Sequence, residues 1–275
     1  MLFRSDHVDA LLLSGGSAFG LDAAGGAMAA LKDMARGFKV GSVRVPIVPQ
    51  AILFDLLNGG DKDWGRMPPY WELGYHAIKS ASLDFTLGTA GAGYGATTAT
   101  LKGGLGSASV ITSSGFTVGA IVAVNAVGSA TIGDGPHFWA APYEQGNEFG
   151  GVGLPHDISA EDLRPRLKGS AHRANTVIGC IATDAMLNKA ECKRMALAAH
   201  DGLARAIRPA HTPMDGDTIF AAATGFKTLT NSTVDLTEIV IAAADVLARA
   251  IARGVYEAKA LSFAGALPDW TSHFR

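Results

Sequence analysis

Short apolar, partly β-branched runs alternate along the chain with longer stretches of helical spacing. Val8 to Leu13 reads as a buried strand that runs into Ser14-Gly15-Gly16-Ser17-Ala18-Phe19-Gly20, and a helix is predicted from there to Arg36, closed by Gly37. Val43 to Phe54 is apolar but carries Pro46 and Pro49, which predicts an irregular or edge segment. Trp71 to Ala81 has the spacing of a short amphipathic helix. A Gly-rich run from Gly88 to Gly106 precedes two predicted strands, Ser107 to Thr112 and Phe116 to Asn125, joined by the turn Ser113-Ser114-Gly115. Gly133 to Lys168, with Pro136, Pro142, Pro155 and Pro165, is the most linker-like part. It leads through the polar, basic Arg164 to Asn175 into Thr176 to Asp184, which reads as a buried strand. Asn188 with Glu191 three residues on forms a capping-box pattern, opening a helix that stops at Arg208-Pro209. A strand from Thr218 to Ala223 and a final helix from Asp235 to Glu257 complete the pattern. The class is mixed α and β, and residues 1–275 read as one domain without a fixed-period repeat.

Composition narrows the partners. The chain of 275 residues is 48% hydrophobic and 17% charged, enough for a sizeable core, and its net charge of −2 creates no field for nucleic acid or anionic lipid. Only two cysteines occur, Cys180 and Cys192, so a disulfide framework is not expected and a reducing cytoplasm fits best. Met1 to His7 is polar and Ala10 to Leu13 too short for a signal peptide. The longest apolar stretch, Val118 to Val127, is interrupted by Asn125 and falls short of the roughly 20 residues a spanning helix needs. No membrane partner is expected.

Thr176 stands where a loop-like segment meets a strand. If the Asn175–Thr176 bond breaks, Thr176 gains an α-amino group beside its own hydroxyl. Such an amine titrates at roughly 7.7–8.0, so near neutral pH part of it is free to take the hydroxyl proton. A strand that merely begins with Thr is the plainer reading. Met214-Asp215-Gly216-Asp217-Thr218 places two carboxylates at the mouth of a strand, where they can ligate a metal, act as a nucleophile, orient an amine or hydroxyl from another strand, or cap a turn. No further acidic cluster completes an oxygen shell for a metal. Asn125 breaks an apolar strand, and its amide either finds core partners or donates to a developing oxyanion. Lys102, between glycine turns, is either a positive charge held over a site or simply solvated, and the solvated reading is the expected one. The eight histidines, among them His7, His76, His172 and His211, show no metal-binding spacing, and Gly15, Gly16 and Gly20 do not form a dinucleotide fingerprint. Neither a metal nor a cofactor is expected.

Together these segments resemble the L-aminopeptidase/D-esterase family, which includes β-peptidyl aminopeptidases and the 6-aminohexanoate-oligomer (nylon-oligomer) hydrolase. The resemblance rests on Leu11-Leu12-Leu13-Ser14-Gly15-Gly16-Ser17-Ala18-Phe19-Gly20, Val45-Pro46-Ile47-Val48-Pro49, Ile52-Leu53-Phe54-Asp55, Gly91-Ala92-Gly93, Lys102-Gly103-Gly104-Leu105-Gly106-Ser107, Val124-Asn125-Ala126, Asn175-Thr176 and Met214-Asp215-Gly216-Asp217-Thr218, in the family's order. It implies an αββα sandwich and an N-terminal-nucleophile hydrolase that cuts itself between Asn175 and Thr176 into 1–175 and 176–275. Thr176 would be the nucleophile, Asn125 an oxyanion donor, and Asp215 and Asp217 would tune the Thr176 amine and hydroxyl. Substrates would be short peptides or amides with a free amino end, and the assembly a homo-oligomer, often a tetramer of processed pairs. The chain departs from the family in starting without its usual first strands and in having Phe54 and Thr100 where the nylon-oligomer hydrolase has Tyr and Lys. Those departures define the rival expectation, an N-terminally truncated, inactive homologue acting as a structural or binding subunit.

Overall fold

The computed structural model describes residues 6–169 and 175–275. Its centre is a sheet of four strands, β5 (Leu105–Ile111), β6 (Thr117–Asn125), β7 (Thr176–Ala185) and β8 (Thr218–Lys227), in that spatial order. β5, β6 and β7 pair antiparallel; β7 and β8 pair parallel across a helical crossover. Residue alternation sorts the side chains onto two faces. Val118, Ala120, Val122 and Val124 of β6 and Val177 and Ile181 of β7 join the larger core, which includes Met195, Leu203, Ile239, Leu247 and Ile251 from two helices. Those helices are α3 (Lys189–Ala206) and α4 (Ser232–Tyr256). Asn188 caps α3 with the expected capping box, its side chain accepting from Ala190 and Glu191 N–H while Glu191 reaches back to the Asn188 N–H.

Ala123 and Ile178 point the other way, into a smaller cluster with Ala51, Leu53, Ala92 and Ala96. The second layer is a pair of parallel three-residue strands, β1 (Leu12–Ser14) and β4 (Gln50–Ile52), and beyond it lie α1 (Asp22–Asp33) and α2 (Tyr70–Lys79). The helix–sheet–sheet–helix order is the expected αββα arrangement. β1 is shorter than the predicted run: Val8 is exposed, and Asp9 is tied to Ile47 by its backbone N–H and its own side chain. Pro46 and Pro49 lack N–H groups, so the neighbouring segment pairs only from Gln50 onward. α1 and α2 approach at two glycines. A Cβ on Gly26 would lie 1.8 Å from the Trp71 carbonyl oxygen, and one on Gly74 2.0 Å from that of Ala23. Between these elements, β2 (Phe38–Val40) and β3 (Val43–Val45) form an exposed hairpin. A short helix, α5 (Trp270–Phe274), ends the chain. Among the described residues no helix is long and apolar enough to cross a membrane.

Candidate active site

β6 ends at Asn125 and β7 begins at Thr176, and the antiparallel register sets these two residues opposite each other. One residue upstream, Asn175 forms a parallel bridge with Asp215. The Gly216 N–H donates to the Asn175 carbonyl oxygen at 2.9 Å, and the Thr176 hydroxyl lies 2.5 Å from the same oxygen. The carbonyl that precedes Thr176 is thus polarised by a backbone donor and touched by the hydroxyl of the next residue. Asn175 is buried and Thr176 half-buried. A Cβ on Gly216 would fall 3.1 Å from Thr176 Oγ1, so a side chain there would crowd the hydroxyl.

The two aspartates have separate tasks. Asp215 Oδ1 accepts from the Val127 N–H at 3.2 Å, and Oδ2 accepts from the Thr212 N–H at 3.2 Å and its hydroxyl at 2.9 Å. It clasps the exit of β6 to the turn before β8, which includes the turn-capping reading. Asp217 Oδ1 accepts from the Val177 N–H at 2.9 Å, and Oδ2 lies 2.9 Å from His211 Nδ1. Burial raises the Asp217 carboxyl above the usual range; the Val177 N–H opposes this and the charge of Asp215 adds to it.

Asn125 is buried and bonded at both ends of its amide. Its Nδ2 donates to the Phe54 carbonyl at 3.0 Å, and its Oδ1 accepts from the Thr97 N–H at 3.1 Å and Lys168 Nζ at 3.0 Å. An amide nitrogen carries two protons, so one remains for an incoming oxygen. Lys168 comes from the linker-like segment eight residues before Thr176. Burial brings its ammonium down to about 7, with Asp215 opposing and Lys102 reinforcing the shift.

A cavity of about 230 Å³ opens beside these groups, with Phe54, Leu57, Leu261 and Phe263 on its apolar wall and Asp55, Lys102, Asn125, Lys168 and Asn175 among its polar lining. Contrary to the expectation from its sequence setting, Lys102 is not solvated. It is 2% exposed, and its Nζ donates to the carbonyls of Gly93 at 2.9 Å, Ala96 at 2.8 Å and Gly103 at 2.6 Å. The glycine turns close their carbonyls around the ammonium and satisfy all three of its protons. Burial still lowers it to about 8, against the pull of Asp55. Asp55 Oδ1 in turn accepts from the Gly16 N–H at 2.7 Å, and a Cβ on Gly15 would meet Asp55 Oδ2 at 2.5 Å. The first glycine turn therefore folds around a carboxylate of its own chain, in the place a phosphate would need.

The fold brings together Asn125, Asn175, Thr176, Asp215 and Asp217, with Phe54 on the cavity wall. Thr100 stands apart, its hydroxyl 3.4 Å from that of Ser129. His172 and the rest of 170–174 lie outside the described residues. Three site groups escaped the sequence reading. Asp55 enters it only as part of a matching segment, His211 only among the histidines without metal-binding spacing, and Lys168 carries no motif.

Comparison with known proteins finds relatives along nearly the whole chain. An uncharacterized aminopeptidase of Mycobacterium tuberculosis is 45% identical over 264 residues, 92% of this chain and 75% of the relative. A 6-aminohexanoate-oligomer endohydrolase of Kocuria sp. is 28% identical over 231 residues, 80% of this chain and 61% of that protein. A Burkholderia sp. beta-aminopeptidase superposes with a TM-score of 0.62 at 23% identity, covering 92% of this chain and 69% of that one. The L-aminopeptidase D-Ala-esterase/amidase of Ochrobactrum anthropi, described as a variant of the Ntn hydrolase fold, superposes with a TM-score of 0.61 at 20% identity over the same shares. These two likenesses speak for the fold. The sequence itself matches peptidase family S58 over residues 5–266, a span that includes both sides of the Asn175–Thr176 bond and every residue of the cluster around it. A peptidase-type hydrolase, this chain belongs to peptidase family S58.

Proposed function

We propose that this protein cuts its own Asn175–Thr176 bond and then uses Thr176 to hydrolyse amide bonds of short substrates with a free amino end. The observation that carries the reading is the Asn175 carbonyl oxygen held between the Gly216 N–H at 2.9 Å and the Thr176 hydroxyl at 2.5 Å. In self-cleavage Thr176 Oγ1 turns from the carbonyl oxygen to the carbonyl carbon and attacks it. The hydroxyl proton passes to the departing nitrogen as the C–N bond breaks, leaving Asn175 esterified to Thr176. Water hydrolyses that ester to an Asn175 carboxylate and a free hydroxyl. The products are 1–175 and 176–275, which stay together through the shared sheet.

The new α-amino group then serves as the base for its own hydroxyl. A substrate amide is attacked by Oγ1, the leaving amine takes the proton, and water releases the acyl group from the ester. Developing negative charge meets the Gly216 N–H and the spare N–H of Asn125, whose amide is oriented by Phe54, Thr97 and Lys168. The cavity's apolar wall suits a hydrocarbon body, and Asp55 supplies a carboxylate for the substrate's free ammonium group. The relatives named aminopeptidase and oligomer endohydrolase support amide hydrolysis as the chemistry. Assembly into a homo-oligomer belongs to the same reading, supported by the apolar face of the β2–β3 hairpin, where Phe38 and Val40 are each 59% exposed.

Intact mass of the purified protein beside Thr176→Ala tests this directly. Two fragments meeting at Asn175/Thr176 are expected from the wild type, and one uncut chain without amino-acid amide hydrolysis from the variant. A Thr176→Ala protein that still hydrolyses such amides would refute the reading.

A further inference from the structure

His211 has no part in the steps above, yet its ring is bound on both sides. Nδ1 lies 2.9 Å from Asp217 Oδ2, and Nε2 lies 3.3 Å from the carbonyl oxygen of His200. A carbonyl oxygen only accepts, so Nε2 has to carry a proton to bond it. Nδ1 then meets Asp217 either by donating a second ring proton or by accepting one from the carboxyl. Both arrangements place one shared proton between Asp217 and His211, and both leave the pair with no net charge. A neutral ring beside an ionised Asp217 would set two lone pairs against each other at one of these contacts.

We propose that His211 is a positioning residue that neutralises Asp217, so that the Thr176 α-amino group freed by the cut stays unprotonated at working pH. The proposal rests on the reading of Thr176 as nucleophile. Asp217 is anchored to the Val177 N–H, the amide that follows Thr176, and Asp215 lies two residues away in the same turn. Two uncompensated carboxylates beside a new amine would stabilise its ammonium form and remove the base. One shared proton cancels one of those charges. His211, Asp217 and Thr176 all lie downstream of the cut, so the pairing persists in the processed protein.

Other charges face this pair from the elements around it. The His200 ring on α3 sits 5.1 Å from the His211 ring and is itself held below its usual range by burial and by His211. Asp201 and Asp217 act on His200 in the opposite sense. Across the site, the Lys168 ammonium is stabilised by the charge of Asp215. His211 has φ of 57°, in the left-handed region that Asn tolerates, so His211→Asn keeps the turn and a side-chain N–H for Asp217 but removes the imidazole.

The test is the pH profile of kcat/KM for an amino-acid amide in wild type, His211→Asn and His211→Leu, with Thr176→Ala as control. Loss of the compensating charge should raise the amine pKa and move the acidic limb of both variants to higher pH by roughly half to one unit. On the alkaline plateau His211→Asn should stay within about threefold of wild type, since the amine there is deprotonated in both. An acidic limb left in its wild-type place overturns the proposal, whether the rate is unchanged or lowered at every pH. Hydrolysis surviving in Thr176→Ala would instead remove the nucleophile reading beneath it.

Discussion

The two faces of the β5–β8 sheet carry unequal amounts of protein. On one, α3 and α4 bury large side chains such as Met195, Leu203, Ile239, Leu247 and Ile251 against β6 and β7. On the other, the second layer meets the sheet through Ala51, Leu53, Ala92, Ala96, Ala123 and Ile178, mostly one-carbon side chains. The thick side fixes the strand ends that hold Asn125 and Thr176. The thin side contributes Phe54 and Asp55 to the cavity wall and little packing. On the proposed reading, nucleophile geometry and substrate fit are thus held by different parts of the molecule, and they should fail separately.

Truncating one buried side chain on each face should expose the difference most strongly. Ile181→Ala removes a fully buried group from the thick side, and Leu53→Ala does the same on the thin side. Large-to-small core changes cost about 2–5 kcal/mol, least where the surroundings can collapse into the gap. Ile181→Ala should fall near the top of that range and Leu53→Ala near the bottom, measured by urea unfolding in a Thr176→Ala background that keeps the chain whole. Leu53→Ala should instead disturb substrate affinity. Equal losses of stability would mean that the second layer is as firmly packed as the first.

A smaller effect should follow from Asp55→Asn. The substitution keeps an oxygen to accept from the Gly16 N–H but removes the negative charge at the cavity. A charge-assisted bond is worth about 1.5–3 kcal/mol, so KM for an amide with a free ammonium should rise roughly tenfold or more while kcat changes much less. An analogue acetylated on that amine should bind wild type and variant alike. A fall in kcat with KM unchanged would place Asp55 in the chemistry rather than on the binding wall.

Much of this division is written in the chain. β-branched runs and caps located β5 to β8, α3 and α4, because a buried face imposes a period that survives in the residues themselves. The family segments brought Asn125, Thr176, Asp215 and Asp217 to one place. The thin layer was harder to read: Pro46 and Pro49 interrupt the pairing, so a short strand at Gln50 leaves almost no periodic signal. The burial of Lys102 is not legible in the sequence because its partners are the carbonyls of Gly93, Ala96 and Gly103, and a backbone oxygen has no letter there. Lys168 and His211 were passed over for a related reason. Each gains its meaning from a residue distant in the chain, Asn125 in one case and Asp217 in the other.

Lys168 offers the finest probe of how the upstream segment is held against the sheet. Its ammonium titrates near 7 in the fold and near 10.4 in an unfolded chain. At pH values between the two, the unfolded state binds more protons than the folded one, so unfolding free energy should rise with pH across that window. Below about pH 7 both states are protonated and the fold bears the full cost of burying the charge. Lys168→Met removes the titrating group and leaves the Thr97 N–H on Asn125 Oδ1, so the amide is not stripped of partners. In the uncut Thr176→Ala background, urea unfolding at pH 6.5 and 9.5 should show a smaller rise for Lys168→Met than for the parent. The rise should not vanish, because Lys102, held near 8, contributes in the same direction. Parallel pH dependences in the two proteins would mean that Lys168 leaves the site for solvent, and that Asn125 is oriented by Phe54 and Thr97 alone.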